Sequence, residues 1–422
     1  MGAYAENMEL LGQLDIPGGG QVVVEGSHAF VGHMRPPFGT SIIDVSDPRN
    51  PRVVAHIDPP SAYSHTHKVR VVGDLLFSNV ERDQRHFFRK GEAIDSATRD
   101  LAQELGRAPG EAEIATRIGV DPKKMEDLRA GLARGYDEGG FRIFDISDRA
   151  NPRLITHVKT GGMGVHRFEV DENYAYISTE MDGYQGNILV IYDISDPANP
   201  LEISRWWIPG QHVAGGETPT WQGTRHKLHH ALRQGDRLYA SGWYNGGYVI
   251  DISDITRPTT IGHFDYHPPM REPTHTFFKA PHKIAGHDIA LLVDEEHNGH
   301  VRGQPHGLIW IVDISDVSDI KPLATFDVSE MDSPYSRAGG RFGAHQFQEH
   351  LSGTTIYAAW FSGGVRAIDI SDPTLPREVG YFVPEPPEGY PAPQCNDVDV
   401  DDRGLIHVLD RNRGFHILRH KV

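Results

Sequence analysis

The sequence predicts an all-β fold: a seven-bladed β-propeller closed by an N-terminal strand, with one inserted helical segment. Three observations predict it. An aspartate-rich turn element recurs six times, a hairpin of one pattern recurs seven times, and the chain begins with the kind of strand that its last unit lacks. A unit repeated along a chain signals a fold built by stacking identical units.

The six turn elements are IIDVSDPRNP (42–51), IFDISDRANP (143–152), IYDISDPANP (191–200), VIDISDITRP (249–258), IVDISDVSDI (311–320) and AIDISDPTLP (367–376). Each follows an alternating apolar run and precedes a second short strand such as PREVGYF. It therefore reads as strand, turn and strand. The Asp and Ser side chains can bond the turn backbone, and the proline ends the ladder. That role is structural rather than catalytic.

The hairpins are GQVVVEGSHAF (20–30), HKVRVVGDLLF (67–77), HRFEVDENYAY (166–176), HHALRQGDRLY (229–239), HTFFKAPHKIAGHDIALL (275–292), HQFQEHLSGTTIY (345–357) and NDVDVDDRGLI (396–406). Hairpin plus turn element makes a four-stranded unit. The last unit stops at GFHIL (414–418), while MELLGQLDIP (8–17) has the pattern of an outer strand. A chain whose start completes its final blade closes a ring and leaves no open sheet edge. Residues 1–422 then form one propeller. Residues 84–139 interrupt its second full blade, and within them 101–132 has helical periodicity with Pro-Gly and Asp-Pro at the helix starts.

These repeats resemble those of the LVIVD-repeat propeller proteins across nearly the whole chain. They are more weakly similar to the selenium-binding protein/methanethiol oxidase family, whose propeller carries comparable YDISDP strands. The likeness speaks for fold and says little about reaction. Residues 101–132 resemble a helix-turn-helix of bacterial sigma factors. Set inside one blade of an acidic chain, they are expected to be a lid or a contact between copies of a homo-oligomer rather than a DNA-binding element.

Composition narrows the function. A net charge of −17 argues against binding nucleic acid or an anionic membrane. The single cysteine, Cys395, excludes an internal disulfide framework and cysteine-rich metal sites. The N-terminal residues lack the pattern of a signal peptide, and no apolar run is long enough to span a bilayer, so a cytoplasmic protein is expected. No phosphate-cradling loop, dinucleotide fingerprint or nucleophile elbow occurs. The outlier is histidine, with 25 in 422 residues.

The first strand of each propeller blade lines the central channel. Its starting position holds Gly20, His67, His166, His229, a histidine of the fifth blade, His345 and Asn396. His275 and His282 both fit the fifth blade. Neutral imidazoles converging on one axis make a metal site. His65, His230, His287 and His350 lie nearby and face outward or support the ring. Glu81 and Glu180 follow His67 and His166 by fourteen residues, which returns the chain to the same end of the channel, and Glu295 and Glu296 sit similarly in the fifth blade. Such carboxylates can orient an imidazole by accepting its second N–H, or can serve as ligand or base. The matching zone of other blades holds Trp243 and Trp360. Long loops contribute Trp221, Arg225, Tyr335, Arg337 and Arg341, and the arginines suggest an anionic or carbonyl-bearing small-molecule substrate. The loop EHNGHVRGQPH (296–306) adds three histidines on the same face.

The expected cofactor is a divalent transition metal, with iron favoured and manganese, zinc or copper open. The layout is similar to that of carotenoid-cleavage dioxygenases, which hold iron with four histidines on a seven-bladed propeller, though their repeats differ. A mostly neutral shell favours an oxidoreductase of this kind. A hydrolase or lyase is the alternative, with the metal as Lewis acid and Glu81 or Glu180 as base, much as in propeller-fold oligogalacturonate lyases. A non-catalytic interaction scaffold is the third reading.

Overall fold

The computed structural model describes residues 4–221, 226–297 and 305–421. Seven antiparallel units follow one another. Blade 1 comprises Gly19–Glu25, His28–His33, Thr40–Asp44 and Arg52–Ile57. Blade 2 begins with Ser64–His65 and Val69–Val72, continues with Leu75–Arg82, and resumes after the insertion with Gly140–Asp145 and Arg153–Lys159. Blade 3 is Gly161–Val170, Tyr174–Glu180, Asn187–Asp193 and Leu201–Trp206. Blade 4 is His226–Gln234, Arg237–Trp243, Gly247–Asp251 and Thr259–Phe264. Blade 5 is Thr274–Lys279, Ile289–Asp294, Ile309–Asp313 and Lys321–Phe326. Blade 6 is Phe342–Phe347, Thr355–Phe361, Val365–Asp369 and Arg377–Val383. Blade 7 has Cys395–Val400, Leu405–Asp410 and Arg413–His420 from the C-terminal end of the chain.

Its fourth strand is Met8–Pro17, paired antiparallel to Arg413–His420 in the register Met8↔His420 to Pro17↔Arg413. The segment picked out by its sequence pattern thus closes the ring. A further strand, Tyr4–Glu6, adds a fifth member to blade 6 along Arg377–Val383.

What holds the ring is a set of apolar layers between neighbouring blades, one at each of the seven junctions among the described residues. Phe168 and Ile177 of blade 3 meet Phe141 and Ile143 of blade 2, for example, and Leu405 and Phe415 of blade 7 meet Val22 and Val31 of blade 1. Each fully buried large apolar side chain contributes ~1.5–3 kcal/mol. The last layer is as continuous as the others, which is why closure needs no covalent staple.

The recurring turns are built as their residues demand. The first aspartate of every copy (Asp44, Asp145, Asp193, Asp251, Asp313 and Asp369) accepts from the N–H of the serine two residues on at 2.8–3.0 Å. The second aspartate, from Asp47 to Asp372, accepts at 3.0 Å from the backbone N–H of whichever residue stands two further on. These side chains are spent on the backbone, on the rim of the fold.

Between the second and third strands of blade 2 lie α1 (Arg85–Arg89), α2 (Ile94–Leu105), α3 (Glu111–Arg117) and α4 (Met125–Arg134). They bury a core of their own around Leu101, Ile114, Met125 and Leu128. Glu113 bonds back to the Gly110 N–H at 2.7 Å to start α3, and Asp121 accepts from the Lys123 N–H at 3.0 Å just before α4. The unit is tied to its blade by Arg82, whose guanidinium lies 3.8 Å over the Phe88 ring and donates to the Gly131 carbonyl at 2.7 Å. No helix among the described residues is long and apolar enough to cross a membrane.

Candidate metal centre

At the start of each first strand the pairing with the second strand slips. Gly20, His166, His275 and Asn396 are each the one unpaired residue between two paired neighbours, and Thr66–Lys68, Lys227–His229 and Gly343–His345 are longer slips of the same kind. A β-bulge leaves its extra residue free of the ladder and re-aims its side chain. In this fold it does so seven times, always at the axis. Gly20 fits the crowding there, since a Cβ would come within 2.7 Å of the His67 carbonyl oxygen and 2.9 Å of the Met34 sulfur.

The imidazoles form a continuous arc. Ring centroids are 5.1 Å apart for His67 and His166, 4.9 Å for His166 and His229, 4.3 Å for His229 and His275, and 4.3 Å for His275 and His345. Asn396 completes the circle, accepting on its carbonyl from His345 Nδ1 and donating from Nδ2 to the Gly20 carbonyl at 2.9 Å. Burial lowers the pKa of His67, His166, His229 and His275 well below the ordinary imidazole value and that of His345 to about 3. All five are neutral near pH 7.

The hydrogen-bond partners assign their tautomers. His166 Nδ1–H donates to Glu81 Oε2 at 3.0 Å, and His229 Nδ1–H to the His275 carbonyl at 2.7 Å. His275 Nδ1–H donates to Gln346 Oε1 at 2.9 Å, and His345 Nδ1–H to the Asn396 carbonyl. Each of these four rings therefore keeps a lone pair on Nε2. His67 is the exception. Asn79 accepts from the Lys68 N–H on Oδ1 at 2.8 Å and donates from Nδ2 to the Val165 carbonyl at 2.9 Å, so the same Nδ2 must donate to His67 Nδ1 at 3.2 Å. Neutral His67 thus carries its hydrogen on Nε2 in this arrangement, and it also lies with His65 and Glu81 in a second group whose donor atoms are within 4.8 Å of one another.

The Nε2 atoms of His166 and His229 stand 3.1 Å apart. With both Nδ1 hydrogens committed elsewhere, two lone pairs face each other, an arrangement that a cation relieves. Arg85 of α1 now supplies part of that charge, with Nη2 3.3 Å from His166 Nε2. Donor atoms of His229, His275 and the Glu295 carboxylate also lie within 4.8 Å of one another. Two neutral imidazoles and a carboxylate, with His166 Nε2 3.1 Å from that of His229, are donors that suit a first-row divalent metal.

The surrounding carboxylates are held ionised. Burial alone would raise Glu81, but the Arg85 guanidinium and the 2.9 Å bond from His65 Nε2 outweigh it and leave its pKa well below the usual range. Burial likewise opposes Glu295, and the Arg341 guanidinium at 2.6 Å carries it well below. The chamber enclosed by these groups has a volume of about 270 Å³. Its walls include Trp243, 4.8 Å from the His229 ring, while Phe361 lies 4.9 Å from the His345 ring. Both aromatic residues have left-handed backbone, φ 55° and 40°, a strained conformation that clusters at functional sites.

The LVIVD-repeat pattern matches residues 135–160, 165–206, 234–266 and 350–383, segments that fall on blades 2, 3, 4 and 6. The chain is a β-propeller carrying LVIVD repeats. No curated protein matches this propeller in sequence. Among solved structures, the C-terminal WD40 domain of Sif2 superposes with a TM-score of 0.54 at 10% identity over 97% of each chain. The WD40 β-propeller domain of Doa1 gives 0.52 at 10% identity over 98% of this chain and 96% of that one. A putative 6-phosphogluconolactonase from Bacteroides uniformis gives 0.53 at 10% identity over 91% and 89%. At such identities the likeness is one of fold.

Several residues of this LVIVD propeller lie elsewhere than their sequence positions suggest. His282 is exposed in the turn at the far end of the blade 5 hairpin, so His275 alone is the fifth-blade ring residue. Glu180 follows the same spacing as Glu81 but turns away from His166, bonding Arg89 and the Met163 N–H at 2.9 Å. Trp360 is fully buried against Phe326 in the layer between blades 5 and 6, and the channel-side counterpart of Trp243 is Phe361. A shift of one residue along a strand exchanges its faces. Trp221 stacks on His226 outside the chamber, and Arg337 pairs with Glu330 at the surface. Arg225 lies outside the described residues. Of the loop histidines, His297 lines the chamber and His306 bonds Glu330 at 3.0 Å. Arg85, His86 and Arg411 line the chamber without having been singled out in the sequence. The last two carry no sequence signal, whereas Arg85 stands four residues after Glu81.

Proposed function

We propose that this propeller is a metal-dependent enzyme, an oxidoreductase acting on a small organic substrate, whose imidazole ring holds a divalent transition metal with iron favoured. The observation that carries the reading is the 3.1 Å approach of the His166 and His229 Nε2 atoms while both Nδ1 hydrogens are given to other acceptors. His166, His229, His275 and His345 would be the ligands. Once bound, the metal would supply redox chemistry beside the chamber. Glu81 raises the basicity of His166 and fixes its orientation. His67 offers an Nε2–H as hydrogen-bond donor, and Trp243 and Phe361 keep the rings in place and limit water.

The low pKa of Glu81 and Glu295 favours oxidation over hydrolysis or elimination, because a general base works best with a pKa near the operating pH. Elemental analysis and anomalous scattering of purified protein test the proposal. About one transition metal per chain is expected in the wild type. Its absence after reconstitution with ferrous, manganous, zinc and cupric salts would sink the metal reading and leave an interaction scaffold. Turnover that persists without O₂ or another electron acceptor would move the assignment to the Lewis-acid class.

A further inference from the structure

The chamber does not end at the imidazoles. Met34, Arg35 and Arg411 are shared between it and a second cavity of about 650 Å³, which runs across blades 1 and 7. The two spaces meet at one charged gate. Beyond it, Ile16, Pro17, Phe38 and Tyr390 offer an apolar floor, with Phe38 43% and Tyr390 44% exposed. The charged residues of this groove other than the gate, Asp15 and Arg413, pair with each other.

The cations around the chamber differ in whether they are satisfied. Arg85 is paired with Glu81, and Arg341 with Glu295. Lys68 donates to the Gly20 carbonyl at 2.9 Å. Among the described residues Arg411 has no carboxylate at ion-pair distance; its guanidinium makes one bond, 3.2 Å from Nη1 to Asn396 Oδ1. Burial, with the neighbouring Arg341 guanidinium, lowers its pKa to about 10, which still leaves it charged at neutral pH. A part-buried guanidinium at the rim of the ring with a single hydrogen bond keeps donors free for an anion. Its planar fork matches a carboxylate in two-point contact.

We infer that the substrate is an organic carboxylate with an apolar body, whose carboxylate is held by Arg411 at the junction of chamber and groove while the body lies along Phe38 and Tyr390. This deepens the proposed function and rests on its reading of the imidazole chamber as the reacting end. Exposed Arg35 adds long-range attraction. The volumes fit a ligand that spans both spaces, since the groove alone has room for most of a drug-sized molecule.

Isothermal titration with phenylbutyrate and with phenylbutyramide tests it, on metal-loaded and on EDTA-dialysed protein. A charged hydrogen bond predicts that the acid binds ~10-fold more tightly than the amide, with or without metal. Arg411→Gln should bring the two affinities together while metal content stays at the wild-type level. Arg411→Lys keeps part of the preference, and Arg35→Gln reduces it by a smaller factor. Equal affinities in the wild type, a preference that survives Arg411→Gln, or one present only with metal bound would overturn the inference. A phenylpropyl phosphonate that binds better than phenylbutyrate would overturn the carboxylate assignment as well. Acid preference in a chain that retains no metal would refute the metal reading alone, so the two failures are distinguishable.

Discussion

Two adjacent layers of the channel are made by neighbouring residues and behave oppositely. The upper layer is Gly20, His67, His166, His229, His275, His345 and Asn396. The lower layer is the next residue of every blade: Gln21, Lys68, Arg167, His230, Thr276, Gln346 and Asp397, all buried. In the lower layer most groups bind one another or the nearby backbone, although His230 Nε2 and Arg167 Nε and Nη1 have no partner among the described residues. His230 also lies with Glu169 and Glu349 in a group that could hold a cation. Arg167 donates to Glu349 at 2.6 Å, Thr276 to Gln346 at 2.7 Å, Gln21 accepts from the Val69 N–H at 3.1 Å, and Asp397 accepts from the Val22 N–H at 2.9 Å. Arg70 joins this network by bonding Glu169 at 3.0 Å. In the upper layer the same backbone leaves the Nε2 lone pairs of His229, His275 and His345 unspent, and that of His166 meets Arg85 at 3.3 Å. The difference is that the lower layer is packed with ion pairs around Glu349, whereas the upper layer borders the chamber.

The largest expected contrast is between two neighbouring histidines. His229→Ala should weaken metal binding by more than ~100-fold, beyond what loss of a supporting residue costs, with little change in folding. His230→Ala should lower the melting temperature and keep the metal; metal loss in both would erase the distinction. Next comes Arg167→Met, which removes one of the two guanidiniums on the Glu349 carboxylate and leaves it Arg70 and Gln346. It should cost ~1.5–3 kcal/mol in urea unfolding, the worth of a hydrogen bond to a charged group, and a loss within error would show that the lower layer is not a structural network. Glu81→Gln is milder. It leaves His166 an acceptor without charge, so affinity for the metal should fall ~10–100-fold, measured by competition with a chelator.

The smallest effect is a slope. Burial keeps the ring imidazoles neutral in the folded protein, whereas in the unfolded chain they protonate near pH 6.5. Below that pH the unfolded state binds more protons, so the ring's contribution is complete above pH 6.5 and is lost as pH falls, for His345 down to about 3. Each such group adds ~1.4 kcal/mol per pH unit to the slope. Unfolding of metal-free His345→Asn between pH 6 and 4 should show a slope shallower by about one proton. An unchanged slope would mean that this imidazole is already protonated in the fold.

The ring was legible because its position repeats: a histidine opening a hairpin in five blades is a pattern that needs no coordinates. The lower layer was equally legible, since the residue after each ring position is polar in all seven hairpins, yet attention to histidine alone passes over it. Glu81 and Glu180 mark the limit. Their spacing from a ring histidine is identical, but Glu81 is drawn inward by His65, His166 and Arg85, while Glu180 is claimed by Arg89 and the Met163 N–H. Which arginine of α1 meets which glutamate depends on how the insertion packs over the blade.

By itself, then, the sequence determined the seven-fold repeat, the aspartate turns, the closing strand at 8–17 and the level of the imidazole ring. All of these rest on short-range alternation and turn chemistry that a few neighbouring residues settle. Only the tertiary structure decided which way those side chains point and what they bond. Bulges in the pairing aim the imidazoles at the axis, their tautomers are set by acceptors from other blades, and Arg411 meets the chamber from the far end of the chain. The bonds that set the tautomers join residues 46 to 85 positions apart, Arg411 meets Met34 from still farther, and local sequence holds no record of them.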